Sequence, residues 1–151
     1  MTDNKTPMIK YLTSLGVNFK AIGHRHYKFK SKGFMDLIVE TWIEPMKTYD
    51  KMILSVAHYY IQEGDMMRDP EITYEITDNL IEIPLTYTQD SLGIYQHVFE
   101  TREGIEMINP SLMNELKAFT KIWIRNLKQQ GFEKEPSVYP TIKTEVFNND
   151  T

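Results

Sequence analysis

Leu112, Leu116, Phe119, Trp123 and Leu127 recur at spacings of four, three, four and four. The stripe lies on one face of a helix, and a face so apolar must be covered by a core. Asn109 can cap this helix, and Pro110 opens it where a missing N–H costs nothing. Gly131 ends it, with Phe132 placed for the apolar contact common beyond such a cap. The helix stands near the end of a chain of 151 residues. What precedes it must supply the surface on which it packs.

That surface reads as strands. In Met35–Ile43, Met35, Leu37, Val39 and Thr41 alternate with Asp36, Ile38, Glu40 and Trp42. Met52–Ile61 is largely apolar on both faces, as a central strand is. Ile72, Tyr74 and Ile76 point one way while Glu71, Thr73 and Glu75 point the other. Asp78-Asn79 suits the following turn, because both residues tolerate positive φ. Ile81, Ile83, Leu85 and Tyr87 then return on the inner face, with Pro84 outside, marking an edge or a bulge. Gly93–Glu100 reads as a fifth strand. At the start of the chain, Thr6 and Pro7 open a short helix bearing Met8, Leu12 and Leu15, ended by Gly16. Residues 17–33 read as a loop or irregular strand. The expected fold is α+β: a mainly antiparallel meander of about five strands, with the long C-terminal helix and the short N-terminal helix packed on it. Residues 1–132 form the single domain. Residues 133–151 are a C-terminal extension without pattern, mobile at Asn148–Thr151.

Composition narrows function mainly by exclusion. The chain has no cysteine, so disulfides, thiolate metal sites and a cysteine nucleophile are out, and a reducing cytosol is the expected setting. Polar residues over Met1–Lys10 do not form a signal peptide, and no apolar run approaches the ~20 residues that span a bilayer. The formal net charge of -4 opposes broad binding to nucleic acid. Glycine-rich phosphate loops, G-x-S-x-G and H-E-x-x-H are all missing. Any site must be assembled from scattered residues.

Four groups of residues could do so. The polar segment between the second and third strands holds Glu63, Asp65, Asp69 and Glu71, oxygen ligands for a hard cation, with His58 as a further ligand or a base. The plainer reading is a loop: Asp65 and Asp69-Pro70 shape turns, Arg68 pairs with a carboxylate, and His58 is a core histidine with a backbone partner. No metal and no cofactor is expected on that reading. The second group is Lys28, Lys30 and Lys32, alternating with Phe29. Such lysines bind phosphates beside stacked bases, or simply blunt an edge strand. The third is Lys117, Lys121, Arg125 and Lys128 on the outer stripe of the long helix, an ordinary solvated face unless the basic segment lies beside it. The fourth is Ile38 and Trp42, which share a strand face with Asp36 and Glu40. A helix covering that face is the expected arrangement; otherwise it is a partner surface.

Several motifs carry a resemblance. They are Gly33-Phe34-Met35-Asp36-Leu37; His58-Tyr59-Tyr60 running through Gln62, Gly64-Asp65 and Met67 to Asp69-Pro70-Glu71; Gln89-Asp90 with Leu92-Gly93-Ile94-Tyr95-Gln96; and Trp123 with Asn126-Leu127 and Gln130-Gly131-Phe132. Over about residues 33–132 the chain resembles a small domain of unknown function encoded on bacterial plasmids, integrative conjugative elements and phages. The resemblance implies a mobile-element setting and no reaction, and it brings no catalytic residues. Three functions follow as expectations. The first is a non-catalytic, cytoplasmic binding protein acting on a protein or protein–nucleic-acid complex, such as an inhibitor of a host defence nuclease of the CRISPR-effector kind. Its contacts would be Lys28, Lys30, Lys32, Lys117, Lys121 and Arg125, with naked nucleic acid bound weakly at most. The second is a metal-dependent enzyme using residues 63–71. The third is a nucleic-acid-binding protein using residues 20–32.

Overall fold

The alternating stretches become six strands that follow one another across one sheet. In the computed structural model, which describes residues 5–20, 23–133 and the backbone of 137–138, these are β1 (Arg25–Phe29), β2 (Leu37–Pro45), β3 (Asp50–Gln62), β4 (Asp65–Ile76), β5 (Glu82–Gln89) and β6 (Ile94–His97). Every neighbouring pair is antiparallel, in the order β6-β5-β4-β3-β2-β1. A separate hairpin joins β7 (Phe99–Arg102) to β8 (Ile105–Ile108), and a two-residue strand, β9 (Ser137–Val138), pairs with β1 at Tyr27 and Lys28. Helix α1 spans Pro7–Leu15 and α2 spans Pro110–Gln130. The α+β, antiparallel expectation holds, but the strand number does not. The basic segment, read as irregular, supplies β1, whose Tyr27 and Phe29 are buried. The expected fifth strand is broken at Val98. There the chain turns off the sheet, with Val98 N–H donating to Leu85 O at 2.8 Å and its carbonyl accepting from Asn109 N at 2.8 Å. Most of the 133–151 extension lies outside the described residues.

One face of the sheet carries the core. Tyr27, Phe29, Leu37, Val39, Leu54, Val56, Ile72 and Tyr74 form one buried cluster with Met8, Ile9 and Leu12 of α1 and Leu112, Leu116, Trp123, Ile124 and Leu127 of α2. Trp123 meets the His58 ring edge-on at 5.8 Å, and the Tyr74 hydroxyl is hydrogen-bonded to Thr120 Oγ1 at 2.8 Å. The ends of α2 follow the sequence reading. Asn109 Oδ1 accepts from Leu112 N at 3.0 Å, and Gly131 closes the helix at φ 72°.

Two bulges revise which residues share that face. In β4 three steps, from Arg68 to Glu71, answer two in β3, from Tyr59 to Ala57. The extra residue lies at Asp69-Pro70 and puts Arg68 and Glu71 on the same face, where strict alternation would separate them. In β5, Tyr74 pairs with Pro84 while Thr73 pairs with Thr86, so Leu85 is the extra residue. Pro84 does mark a bulge, but the parity inverts. Glu82 and Pro84, not Ile83 and Leu85, join Tyr87 on the helix side. The turn before β5 also differs from expectation, because Leu80, not Asp78 or Asn79, holds the positive φ, at 60°.

The buried carboxylate that results caps α1. Glu82 Oε1 accepts from Ile9 N at 2.7 Å and from Thr6 Oγ1 at 2.7 Å, and Oε2 accepts from Met8 N at 2.9 Å. Thr6 itself caps nothing through its side chain; its hydroxyl oxygen accepts from Glu82 N at 3.0 Å. A strand carboxylate thus satisfies the helix N–H groups that a neighbouring side chain was expected to satisfy.

Candidate functional site: the open face of the sheet

Both helices pack on one side, so the residues of opposite parity line a face that no helix among the described residues covers. The register sets out that face in rows. His26, Glu40, Ser55, Thr73, Thr86 and His97 cross it side by side, and Lys28, Ile38, Ala57, Glu71, Thr88 and Tyr95 form the next row. Ser55 and Ala57 are small and sunk among larger neighbours, at 3% and 0% exposed. Small residues in the centre with long ones around them make a trough. Toward β1 the trough opens into a recess of about 710 Å³. Ile38, Tyr59 and Met66 give it an apolar lining; Lys28 and Arg68 bring positive charge, Asp36 and Glu40 negative, and His26 an imidazole ring.

Most of those charges are already matched. Arg68 grips Asp90 with two side-chain hydrogen bonds, Nε to Oδ2 at 3.0 Å and NH2 to Oδ1 at 3.1 Å, and Arg68 N–H adds a third at 2.7 Å. The pairing holds the Asp90 carboxyl below the usual carboxylate range and, through the same hydrogen bonds, strengthens the arginine's hold on its proton. Glu71 lies 3.7 Å from Arg68 NH1 and accepts from Ser55 Oγ at 2.7 Å. Glu40 meets His24 Nε2 at 3.1 Å, and Asp36 meets Lys30 Nζ at 3.3 Å. Burial, with Glu71 and Glu40 adding their charge, pushes the Tyr59 hydroxyl up to about 12, so it stays a neutral donor at ordinary pH. Among the described residues no carboxylate pairs with Lys28.

The acidic stretch is not a loop. β3 and β4 run through it as one long hairpin closed by Glu63-Gly64, both at positive φ, 51° and 86°, the conformation of a two-residue hairpin turn. Glu63 and Asp65 therefore stand exposed at the tip, while Asp69 accepts from Gln89 Nε2 at 3.2 Å and Glu71 lies on the open face. His58 is on the other side of the sheet. It is 5% exposed, its Nδ1 is 3.0 Å from the Asp36 carbonyl oxygen, and its ring sits against Trp123 and Phe132. Burial lowers its proton affinity, so the neutral ring is favoured. Among the described residues no three of these groups converge on a point that could hold a cation.

The basic residues divide between the two sides. Lys28 lines the recess on the open face, Lys30 reaches back to Asp36, and Lys32 is exposed in the turn before β2. Lys117 and Lys121 border a smaller recess on the helix side, with Thr6, Pro7 and Glu82. Arg125 is exposed on α2. The sheet stands between Lys28 and the helix, whereas the turn that carries Lys32 meets the end of α2, where Ser31 Oγ donates to the Gln130 carbonyl. The helix expected to cover Ile38 and Trp42 packs on the opposite face, leaving both half-exposed. Sequence reasoning singled out none of His26, Tyr59 and Met66 by itself, although His26 and Met66 fall within the basic and acidic segments it named. Their parity was the available signal, and for Met66 the bulge at Asp69-Pro70 obscured it.

Fold and face together define a small α+β domain with a one-sided core and an open, mixed-charge sheet face. Residues 9–133 match DUF6908, described as a domain of unknown function, and the chain belongs to that family. The match begins well before residue 33, taking in most of α1 and all of β1, which the motif resemblance had left largely outside. No curated protein and no solved structure matches the chain. No helix among the described residues is long and apolar enough to cross a membrane.

Proposed function

We propose that this protein is a non-catalytic binding protein whose recognition surface is the open face of the sheet, centred on the recess beside Lys28 and Ile38. One observation carries the reading: an antiparallel sheet with one face buried by helices keeps, on the other, a large trough with apolar lining and charges of both signs. Mixed lining of that kind suits a protein surface better than a phosphate backbone. Asp69, Glu71 and Arg68 of the acidic stretch are engaged in ion pairs and hydrogen bonds that hold the hairpin, and Glu63 and Asp65 stand apart at its tip; this favours binding over a metal-dependent reaction. The resemblance noted above implies a setting on plasmids, conjugative elements or phages, which supports this reading without fixing it. In that setting the partner is a cytoplasmic host or element protein, or its complex with nucleic acid, and a host defence nuclease is the sharpest form of the reading. Naked nucleic acid would bind weakly, since the chain's net charge of -4 repels it at long range.

The tagged chain should retain a discrete partner from its native host, identified by mass spectrometry. Ile38→Glu should weaken that purified complex by at least about tenfold, the effect of removing an apolar anchor at an interface centre. The double variant Lys117→Glu, Lys121→Glu should leave it within about twofold. The reverse pattern would move the surface to the helix side and sink the proposal.

A further inference from the structure

The recess has a charge left over. Glu40 is held by His24 at 3.1 Å, Asp36 by Lys30 at 3.3 Å, and Arg68 by Asp90 at 3.0 Å. Lys28 is the lining cation with no carboxylate against it among the described residues. It stands on β1 directly across from Ile38, with Tyr59 and Met66 lining the same recess. Met66 is 63% exposed, a large apolar side chain standing in water.

We infer that the recess takes an extended, acidic–apolar polypeptide segment: one carboxylate for Lys28, and an adjacent apolar side chain laid on Ile38, Tyr59 and Met66. Charge complementarity sets the sign. A ligand carboxylate gives Lys28 the partner it lacks among the described residues, whereas a ligand cation would meet Asp36 and Glu40 with their partners already in place. The same two carboxylates disfavour a nucleic acid, whose phosphates recur along the strand and would run against them. A peptide offers one carboxylate at a chosen point. This inference rests on the open face being the binding surface, and it adds what that surface selects.

The test uses the full chain, isotope-labelled for NMR, and two probes: the capped pentapeptide Ser-Leu-Glu-Phe-Ser and its counterpart with lysine in place of glutamate. The glutamate peptide should shift the resonances of Lys28, Ile38, Tyr59 and Met66 and leave those of Lys117 and Lys121 unmoved. It should bind roughly fivefold tighter than the lysine peptide, the preference expected of one partly screened ion pair. Lys28→Met should abolish the preference and Lys28→Glu should invert it; Lys28 is on the open face, so neither change touches the core. Equal binding of the two peptides, or no shift at millimolar peptide, would overturn the inference. So would stronger shifts of the same residues by single-stranded DNA, or concentration-dependent shifts without peptide, which would assign the recess to a second copy. If the Ile38→Glu variant still loses the host partner while the peptides show no preference, the open-face reading stands and this selectivity alone fails.

Discussion

Trp123→Ala is expected to destabilise the fold by about 3–5 kcal/mol, the range for truncating a large, fully packed aromatic side chain. Trp123 is 5% exposed and lies at the centre of the helix stripe that meets the sheet. Its ring packs against Phe119 at 5.9 Å and His58 at 5.8 Å, and His58 stacks in turn on Phe132 at 6.0 Å. Removing the indole therefore opens a cavity where α2, β3 and the segment after Gly131 meet. Urea unfolding should show a lower midpoint with an unchanged slope. A loss below about 1 kcal/mol would mean that α2 is not seated as described.

Glu82→Ala should cost about as much, again about 3–5 kcal/mol, although nothing in its composition marks it as a core residue. The carboxylate accepts from Thr6 Oγ1, Met8 N and Ile9 N at 2.7–2.9 Å, and it is 6% exposed. Alanine would leave two buried helix N–H groups without acceptors and detach the start of α1 from β5. The pH dependence follows from the same site. Burial raises the Glu82 pKa, outweighing the hydrogen bonds from Thr6, Ile9 and Met8 that lower it. The folded protein then binds this proton more tightly than the unfolded chain does. The resulting stability is present at low pH and is lost as pH rises from the ordinary carboxylate value through the folded one. Glu82→Gln, which keeps one acceptor oxygen and cannot titrate, should be less harmful than alanine and should flatten that part of the stability–pH curve. A variant curve parallel to the parent's would show that Glu82 keeps its ordinary affinity for the proton.

How far the fold could be read in the sequence depended on how local the signal was. The stripe from Leu112 to Leu127, the Asn109 cap and the Gly131 stop lie within one element, and the structure follows all three. β3, apolar on both faces, is central as expected. What escaped was non-local. Leu85 and the Asp69-Pro70 pair each insert one residue into a strand, and from there every side chain changes face. This is why Glu82 was read as outward and Ile83 as core, and why Arg68 was not placed beside Glu71. The acidic stretch looked like a loop because its carboxylates suggested turns, yet only Glu63 and Asp65 stand at a turn: Glu71 rests on Ser55 and Asp69 on Gln89, while Arg68 grips Asp90, outside the stretch, as well as lying near Glu71. The site was legible only in pieces. Lys28 and Ile38 were both singled out, but for different roles. That they face each other across β1 and β2 is a matter of register, which no single stretch of sequence records.

The open face as recognition surface is tested most directly by site-specific photo-crosslinking in the native host. A photoreactive residue replaces Ile38 in one protein and Lys121 in another, both of them partly or wholly exposed and on opposite sides of the sheet. Position 38 is predicted to yield one dominant crosslinked species, and position 121 only background. A discrete product from position 121, with none from position 38, would contradict the account.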